Sequence, residues 1–374
     1  MSALRSWIPD LREALASSDK ILLGGVLALA VAGVACIFSA GFGRMPSGWN
    51  YAMRQAVWYA VSCGVYVLVV SVGYRKFMDC AYLFYAAALV LLCVTVLAAP
   101  EVKGAQRTIP LGFTRFQPSE FAKISLIAVL AKVLSRYPPL SPKPFLAGAG
   151  IGLPAFLLVL IQPDAGSSLV YLLIIGGMLF VAGAPWKYLL SAVGLGAGAL
   201  PFMWFALKDY QKMRLLVFLD PTREPLGAGY NVIQSRIAVG SGGFWGKGFL
   251  QGLQSKLRFL PEPHTDFIFS VYAEEFGFLG ATLLLAVFGI IFTRVALTGL
   301  RNRDVRCKLL VAGIMTWIWF QTFEGIGMSM GLMPVTGLPL PFLSYGGSSL
   351  LSIAVALGLV GSIRADSVKP YKMT

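Results

Sequence analysis

Ten apolar stretches recur along this chain, at about 20–41, 52–73, 80–99, 119–136, 144–162, 167–184, 187–207, 267–293, 308–332 and 344–363. The hydrocarbon core of a bilayer is about 30 Å thick, so roughly 20 apolar residues cross it as a helix. Repetition on this scale points to one class, an all-α polytopic integral membrane protein. Lipid-exposed backbone must pair its polar groups within the segment, which leaves helices as the form these stretches can take. Composition agrees: 57% of the 374 residues are hydrophobic and 13% are charged, whereas a soluble domain carries about a quarter charged residues. The expected organisation is a single transmembrane domain over 1–374. A large extracytoplasmic loop at 208–266 separates spans 7 and 8.

The formal net charge is +14. In a soluble chain that would suggest a nucleic-acid partner. Here it reads as topology, because Lys and Arg collect in short cytoplasmic loops. "YRKF" (74–77), "SRYPPLSPK" (135–143), Lys187, "RNRDVRCK" (301–308) and a tail with Arg364, Lys369 and Lys372 fall on one side if there are ten spans. Both termini are therefore expected in the cytoplasm, with no nucleic acid bound. The first 20 residues mix Arg5, Asp10, Arg12, Glu13 and Lys20, so the first span is expected to be its own signal anchor. The five cysteines, Cys36, Cys63, Cys80, Cys93 and Cys307, suggest no disulfide framework.

The dense polar motifs fall on the opposite, outer side. ATP is absent there, so a reaction on that side needs an already activated substrate. "PEPHTDFIF" (261–269) places Asp266 at the threshold of span 8, beside the chain's one histidine, His264. If Thr265 caps the eighth helix, Asp266 occupies its first turn. The helix dipole would favour its ionised form and burial would oppose it. An ionised carboxylate at the membrane lip can take a proton from a sugar hydroxyl. The structural alternative is a capping or salt-bridged Asp. His264 reads as interfacial, and with Thr265 it joins the substrate-binding set. Glu274 and Glu275, deeper in the helix, read as structural, one of them buried and paired.

In "QPSEFAK" (117–123), Glu120 and Lys123 are three apart and share a helix face. They form either a local ion pair or, with Arg107 and Arg115, an anion contact. "QPDAGSS" (162–168) is a broken helix junction. Asp164 either caps the next helix, begun by Ser167 or Ser168, or contributes to a divalent-cation site, Mg or Mn, with another carboxylate. The long loop carries Lys212, Arg214, Arg223, Arg236, Lys247, Lys256 and Arg258. Singly each reads as a solvated charge; together they suit a diphosphate, whose charge grows as it leaves. "GSGGFWGKG" (240–248) resembles a phosphate loop superficially. Ser241 stands five residues before Gly246 and Gly248 replaces the Ser or Thr, so it reads as a flexible, backbone-rich loop. "LPLPFLSYGGSS" (338–349) is not regular helix at its prolines. At membrane depth such backbone survives where it is buried in protein or lines a cavity. A cavity lined by Ser344, Tyr345, Gly346, Gly347, Ser348 and Ser349 would suit a polar ligand entering from lipid. No organic cofactor is expected, and neither a His/Cys metal cluster nor a Ser-His-Asp arrangement is evident.

Five motifs taken together, "GAQR…QPSEFAK", "QPDAGSS", "QSRIAVGSGGFWGKG", "LPEPHTDFIFSVYAEEFGFLG" and "GLMPVTGLPLPFLSYGGSS", resemble the SEDS family (shape, elongation, division and sporulation) in order and over nearly the whole chain. The resemblance implies a peptidoglycan glycosyltransferase of the bacterial cytoplasmic (inner) membrane. Such an enzyme polymerises lipid II, a disaccharide-pentapeptide on undecaprenyl diphosphate. It implies a class B penicillin-binding protein, a transpeptidase, as partner, alongside other elongation-complex proteins. The family's essential outer-loop Asp falls on Asp266. Arg107, Glu120, Lys123, Asp164, Lys247 and the stretch 344–349 match further motif positions. Two positions depart: Thr108 stands where Trp is common, and Gly325 where Asn is usual, with Glu324 beside it able to compensate. "SVYAEEFGFLG" and "GMSMGLMPVTGLPLPF" resemble the elongation branch more than the division branch. The rival readings are a lipid II flippase, a division-type polymerase and a noncatalytic scaffold.

Overall fold

The computed structural model describes residues 18–42, 47–100, 107–110, 115–206, 209–225, 227–257 and 259–368. Arg5, Asp10, Arg12, Glu13, Arg258, Lys369, Lys372 and the first three residues of "GAQR" lie outside them. Asp19 starts the first long helix, α1 (Lys20–Gly41), by accepting from the backbone N–H of Ile21 and Leu22. A side-chain acceptor at this position satisfies donors that the first turn leaves without partners. The chain continues through α2 (Ser47–Val72), α3 (Tyr74–Asp79), α4 (Ala81–Ala98), α5 (Pro118–Arg136), α6 (Pro142–Ile161), α7 (Ala165–Val181) and α8 (Trp186–Ala206). After the long segment that follows α8 come α12 (Ile268–Arg301), α13 (Val305–Met330) and α14 (Gly347–Val368). These helices, the short α3 aside, match the ten expected spans in order. Among the described residues seven are long and apolar enough to cross a membrane, and Ala165–Val181 is a shorter apolar helix.

Burial separates the helices into two groups. α5, α13 and α14 are inside the bundle, whereas α1, α2, α4 and α6 present most of their surface outward. That pattern explains why α5 tolerates Glu120 and Lys123, which would be costly against lipid.

The expected long loop is built, not open. It contains α9 (Asp209–Leu219), a 3₁₀ turn at Pro221–Arg223, α10 (Ala228–Ser241) and α11 (Leu253–Lys256). Before α5, Ile109–Pro110 and Arg115–Phe116 pair antiparallel as β1 and β2, with Ile109 opposite Phe116. The segment 240–248 is not the flexible loop expected. α12 breaks at Gly277, which has φ 64°. The break frees the carbonyls of Glu274 and Glu275, and the N–H groups of Lys247 and Gly248 donate to them at 3.0 and 2.9 Å. In return Phe278 and Leu279 donate to the carbonyls of Gly243 and Phe244. The loop thus restores the hydrogen bonds that the kink removes. Gly246, at φ 80°, leaves no room for a Cβ against the Glu275 carbonyl.

At the end of the bundle that holds the start of α1, Asp19 pairs with Arg294 of α12 (2.6 Å) and with Arg364 of α14. Burial by itself would raise the Asp19 carboxyl. The Arg294 and Leu22 hydrogen bonds and the charges of Arg364 and Arg294 outweigh burial and hold it below its ordinary value of 3.8. A depressed carboxyl contributes stability that is present above the unfolded-state value and is lost as pH falls through the folded one. Asp19→Asn should therefore cost about 1.5–3 kcal/mol near neutral pH. Thermal unfolding in detergent checks this: the gap between wild type and variant should narrow as pH drops from about 5 to about 3.

Candidate active site

At the other end of α12, the chain turns before it becomes helical. Glu262 adopts φ 46°, a left-handed conformation that costs a side-chain-bearing residue about 1–2 kcal/mol. Its carbonyl then accepts from Thr265 N and Phe267 N at 3.3 and 3.4 Å. Thr265 is thereby held within the turn, and Phe267 becomes the residue that caps α12. This corrects the expectation that Thr265 caps the helix and Asp266 sits in its first turn. Asp266 lies two residues before Ile268, half-buried.

The stretch "LPLPFLSYGGSS" closes over that turn. Ser344 Oγ donates to the Thr265 carbonyl (2.6 Å) while accepting from Leu340 N (2.8 Å), and Tyr345 N donates to the His264 carbonyl (2.9 Å). Three residues on one face of α2 support this closure, and the sequence reading passed over them. Gln55 Nε2 donates to the Ser344 carbonyl (3.1 Å), and its Oε1 accepts from Gly346 N (3.3 Å). Tyr59 donates to the Phe342 carbonyl. Tyr51 stacks on the His264 ring at 4.6 Å and meets Tyr345 edge-on at 5.2 Å. Their signal was available: 51, 55 and 59 are four apart, polar-tipped residues that share one helix face. Ser348 bridges to the start of α5, donating to the Arg115 carbonyl and accepting from Gln117 N, both at 3.2 Å.

The segment 334–337 crosses the same region. Thr336 donates to buried Glu324 of α13. It packs so closely on Gly166 of α7 that a Cβ there would lie 2.7 Å from the Thr336 Cβ. Gly337, at φ 76°, faces Asp266, with Oδ2 3.5 Å from where a Cβ would stand. Asp266 and Glu324 are within electrostatic reach of each other. Arg214, exposed on α9, borders a small pocket with Val217, Phe218, Val232 and Val335, the neighbour of Thr336.

Other singled-out residues are engaged within the bundle. Asp164 caps α7, which begins at Ala165 and not at Ser167 or Ser168. Its carboxylate accepts from Ser167 N (3.2 Å), Ser167 Oγ (2.8 Å) and Gln117 Nε2 (3.5 Å). Among the described residues no three His, Cys, Asp or Glu gather to hold a metal ion. Lys123 and Glu120 pair at 2.6 Å, with side chains 0% and 1% exposed. Lys247 pairs with buried Glu274 at 2.7 Å. Arg107 is half-buried just before β1.

Between the C-terminal half of α1 and the N-terminal half of α2 lies an apolar groove of about 550 Å³, bordered by Val34, Phe38, Trp49, Met53 and Tyr59 among others. Through Tyr59 it adjoins the 338–349 stretch.

Residues 20–369 match the family described as cell cycle protein, FTSW_RODA_SPOVE. The peptidoglycan glycosyltransferase MrdB of Escherichia coli (strain K12) is 39% identical over 353 residues, covering 92% of this chain and 93% of the relative. A solved chain from a study of how a peptidoglycan synthase complex coordinates polymerization and crosslinking superimposes with TM-score 0.81 at 32% identity, covering 94% and 99% of the two chains. The crystal structure of the Thermus thermophilus rod shape determining protein RodA gives TM-score 0.72 at 32% identity, covering 94% and 98%.

Proposed function

This chain belongs to the FTSW_RODA_SPOVE family of cell cycle proteins, and from that premise we propose that it polymerises lipid II into β-1,4-linked glycan strands at the outer face of the bacterial inner membrane. It is a membrane peptidoglycan glycosyltransferase of the RodA/MrdB type, serving cell shape and elongation. The observation that carries the mechanism is the turn bearing Asp266, fixed at the mouth of the bundle by Ser344 and Tyr345.

In this reading Asp266 removes the proton from the 4-hydroxyl of the acceptor's terminal N-acetylglucosamine. That oxygen bonds to C1 of the donor's N-acetylmuramic acid. The C1–O bond to the lipid diphosphate breaks with inversion, and the electron pair leaves with the diphosphate. Arg107 and Arg214, outside the bundle, stabilise that growing charge. Ser344, Tyr345 and Ser348 shape the entrance, with His264 and Thr265 beneath them. The undecaprenyl tail occupies the apolar groove between α1 and α2. Both termini are cytoplasmic. The pairing of Asp19 with Arg364 at one end of the bundle supports both ends lying on one side, and the basic loops on that side support its being the cytoplasm. The partner is a class B penicillin-binding protein, which crosslinks the product.

The test is polymerisation of purified lipid II by the purified chain bound to its transpeptidase. Glycan strands resolved on a gel are expected. Their absence from a folded, partner-bound wild type would favour a flippase or a scaffold.

A further inference from the structure

Glu324 is a carboxylate inside the bundle that the reaction above does not use. It is fully buried, and Thr336 meets it with its hydroxyl. Its second oxygen has no hydrogen-bond partner, so Thr336 supplies the polar contact that justifies burying the group. Thr336 is also wedged against Gly166 at the start of α7, and the next residue, Gly337, lies against Asp266. One residue beyond Glu324, Gly325 lets Leu340 close on α13, with 3.3 Å from a would-be Cβ to Leu340 Cδ1. Helix α13 therefore grips the 334–340 segment at two adjacent points, one polar and one apolar.

We propose that Glu324 is a positioning residue for the reaction at Asp266: by holding Thr336 it fixes the 336–337 segment against the base. The inference rests on Asp266 being that base. Glu324 does not touch substrate. Its hydrogen bond sets the floor of the space in which the acceptor hydroxyl must meet Asp266, and misplacement on the scale of 1 Å there slows the chemical step without weakening the capture of a lipid-anchored substrate.

The experiment compares Glu324→Gln, Glu324→Leu and Thr336→Val in the full chain bound to its transpeptidase. Two quantities are read: steady-state polymerisation of lipid II, and amide hydrogen exchange over 334–340. Gln keeps an oxygen acceptor for Thr336, so its kcat should stay within about threefold of wild type. Leu fills the space without an acceptor and should lower kcat about tenfold or more, with KM within about twofold. Exchange over 334–340 should quicken about tenfold in the Leu variant and remain slow in the Gln variant. Thr336→Val should shift both readouts in the same direction as Leu, by less. A Gln variant that falls as far as Leu would mean that charge and not the tether matters, and would overturn the proposal. So would wild-type kcat or unchanged exchange in the Leu variant. If wild type makes no polymer, the functional reading fails separately, and exchange still decides whether Glu324 holds the segment.

Discussion

Asp266→Ala should leave roughly one hundredth or less of the wild-type rate of glycan polymerisation. A positioned general base contributes about 10²–10⁴-fold. Glu324 is fully buried and bonded to Thr336, and Glu274 is paired with Lys247. The substitution should leave the fold intact. The turn is held by main-chain bonds to the Glu262 carbonyl, by Ser344 on the Thr265 carbonyl and by Tyr345 on the His264 carbonyl, and all of these survive loss of the Asp266 side chain. Melting temperature and co-purification of the transpeptidase should therefore match wild type while lipid II stays unpolymerised. Asp266→Asn, which keeps the shape and removes the basicity, should fall as far. Equal polymerisation by wild type and the Ala variant would remove Asp266 from the chemistry.

The spans were legible because the bilayer writes a simple rule into a chain: about 20 apolar residues per crossing. Their boundaries held within a few residues, apart from α12, which continues to Arg301. What surrounds Asp266 was less legible. Gln55 and Tyr59 act through main-chain carbonyls some 280 residues away in sequence, and nothing local marks a side chain for such a contact. The kink at Gly277 and its docking loop are similarly non-local. Gly246 was visible as a glycine, but the carbonyl it must approach was not. The start of α12 was misplaced by two residues because Thr265 has the chemistry of a cap, while Glu262 in its left-handed conformation redirects the turn. The Glu120–Lys123 spacing raised two readings, an ion pair or a ligand contact, and spacing alone does not separate them.

A variant series does separate them, and its stability effect should be the largest in the molecule. Lys123 Nζ lies 2.6 Å from Glu120 Oε1, 3.4 Å from Gln321 Oε1 and 4.6 Å from the centre of the Trp317 ring. Ser352 approaches the other Glu120 oxygen at 3.4 Å. The pair thus joins α5 to α13 and α14 at the centre of the bundle. Removing one member of a buried pair strands the other charge, at a cost of about 3–5 kcal/mol, whereas replacing both with apolar residues of similar volume is often neutral or stabilising. Lys123→Met should therefore lower the melting temperature sharply or prevent folding. Adding Glu120→Met should restore most of the lost stability, because no stranded charge remains. Activity of the double variant then carries the functional question. If it polymerises lipid II near the wild-type rate, the two ions serve packing alone. If it is stable and inactive, the ions act on substrate, and the closed pair is one of two arrangements that α5 adopts during turnover. The closed geometry, with side chains 0% and 1% exposed, favours the first outcome.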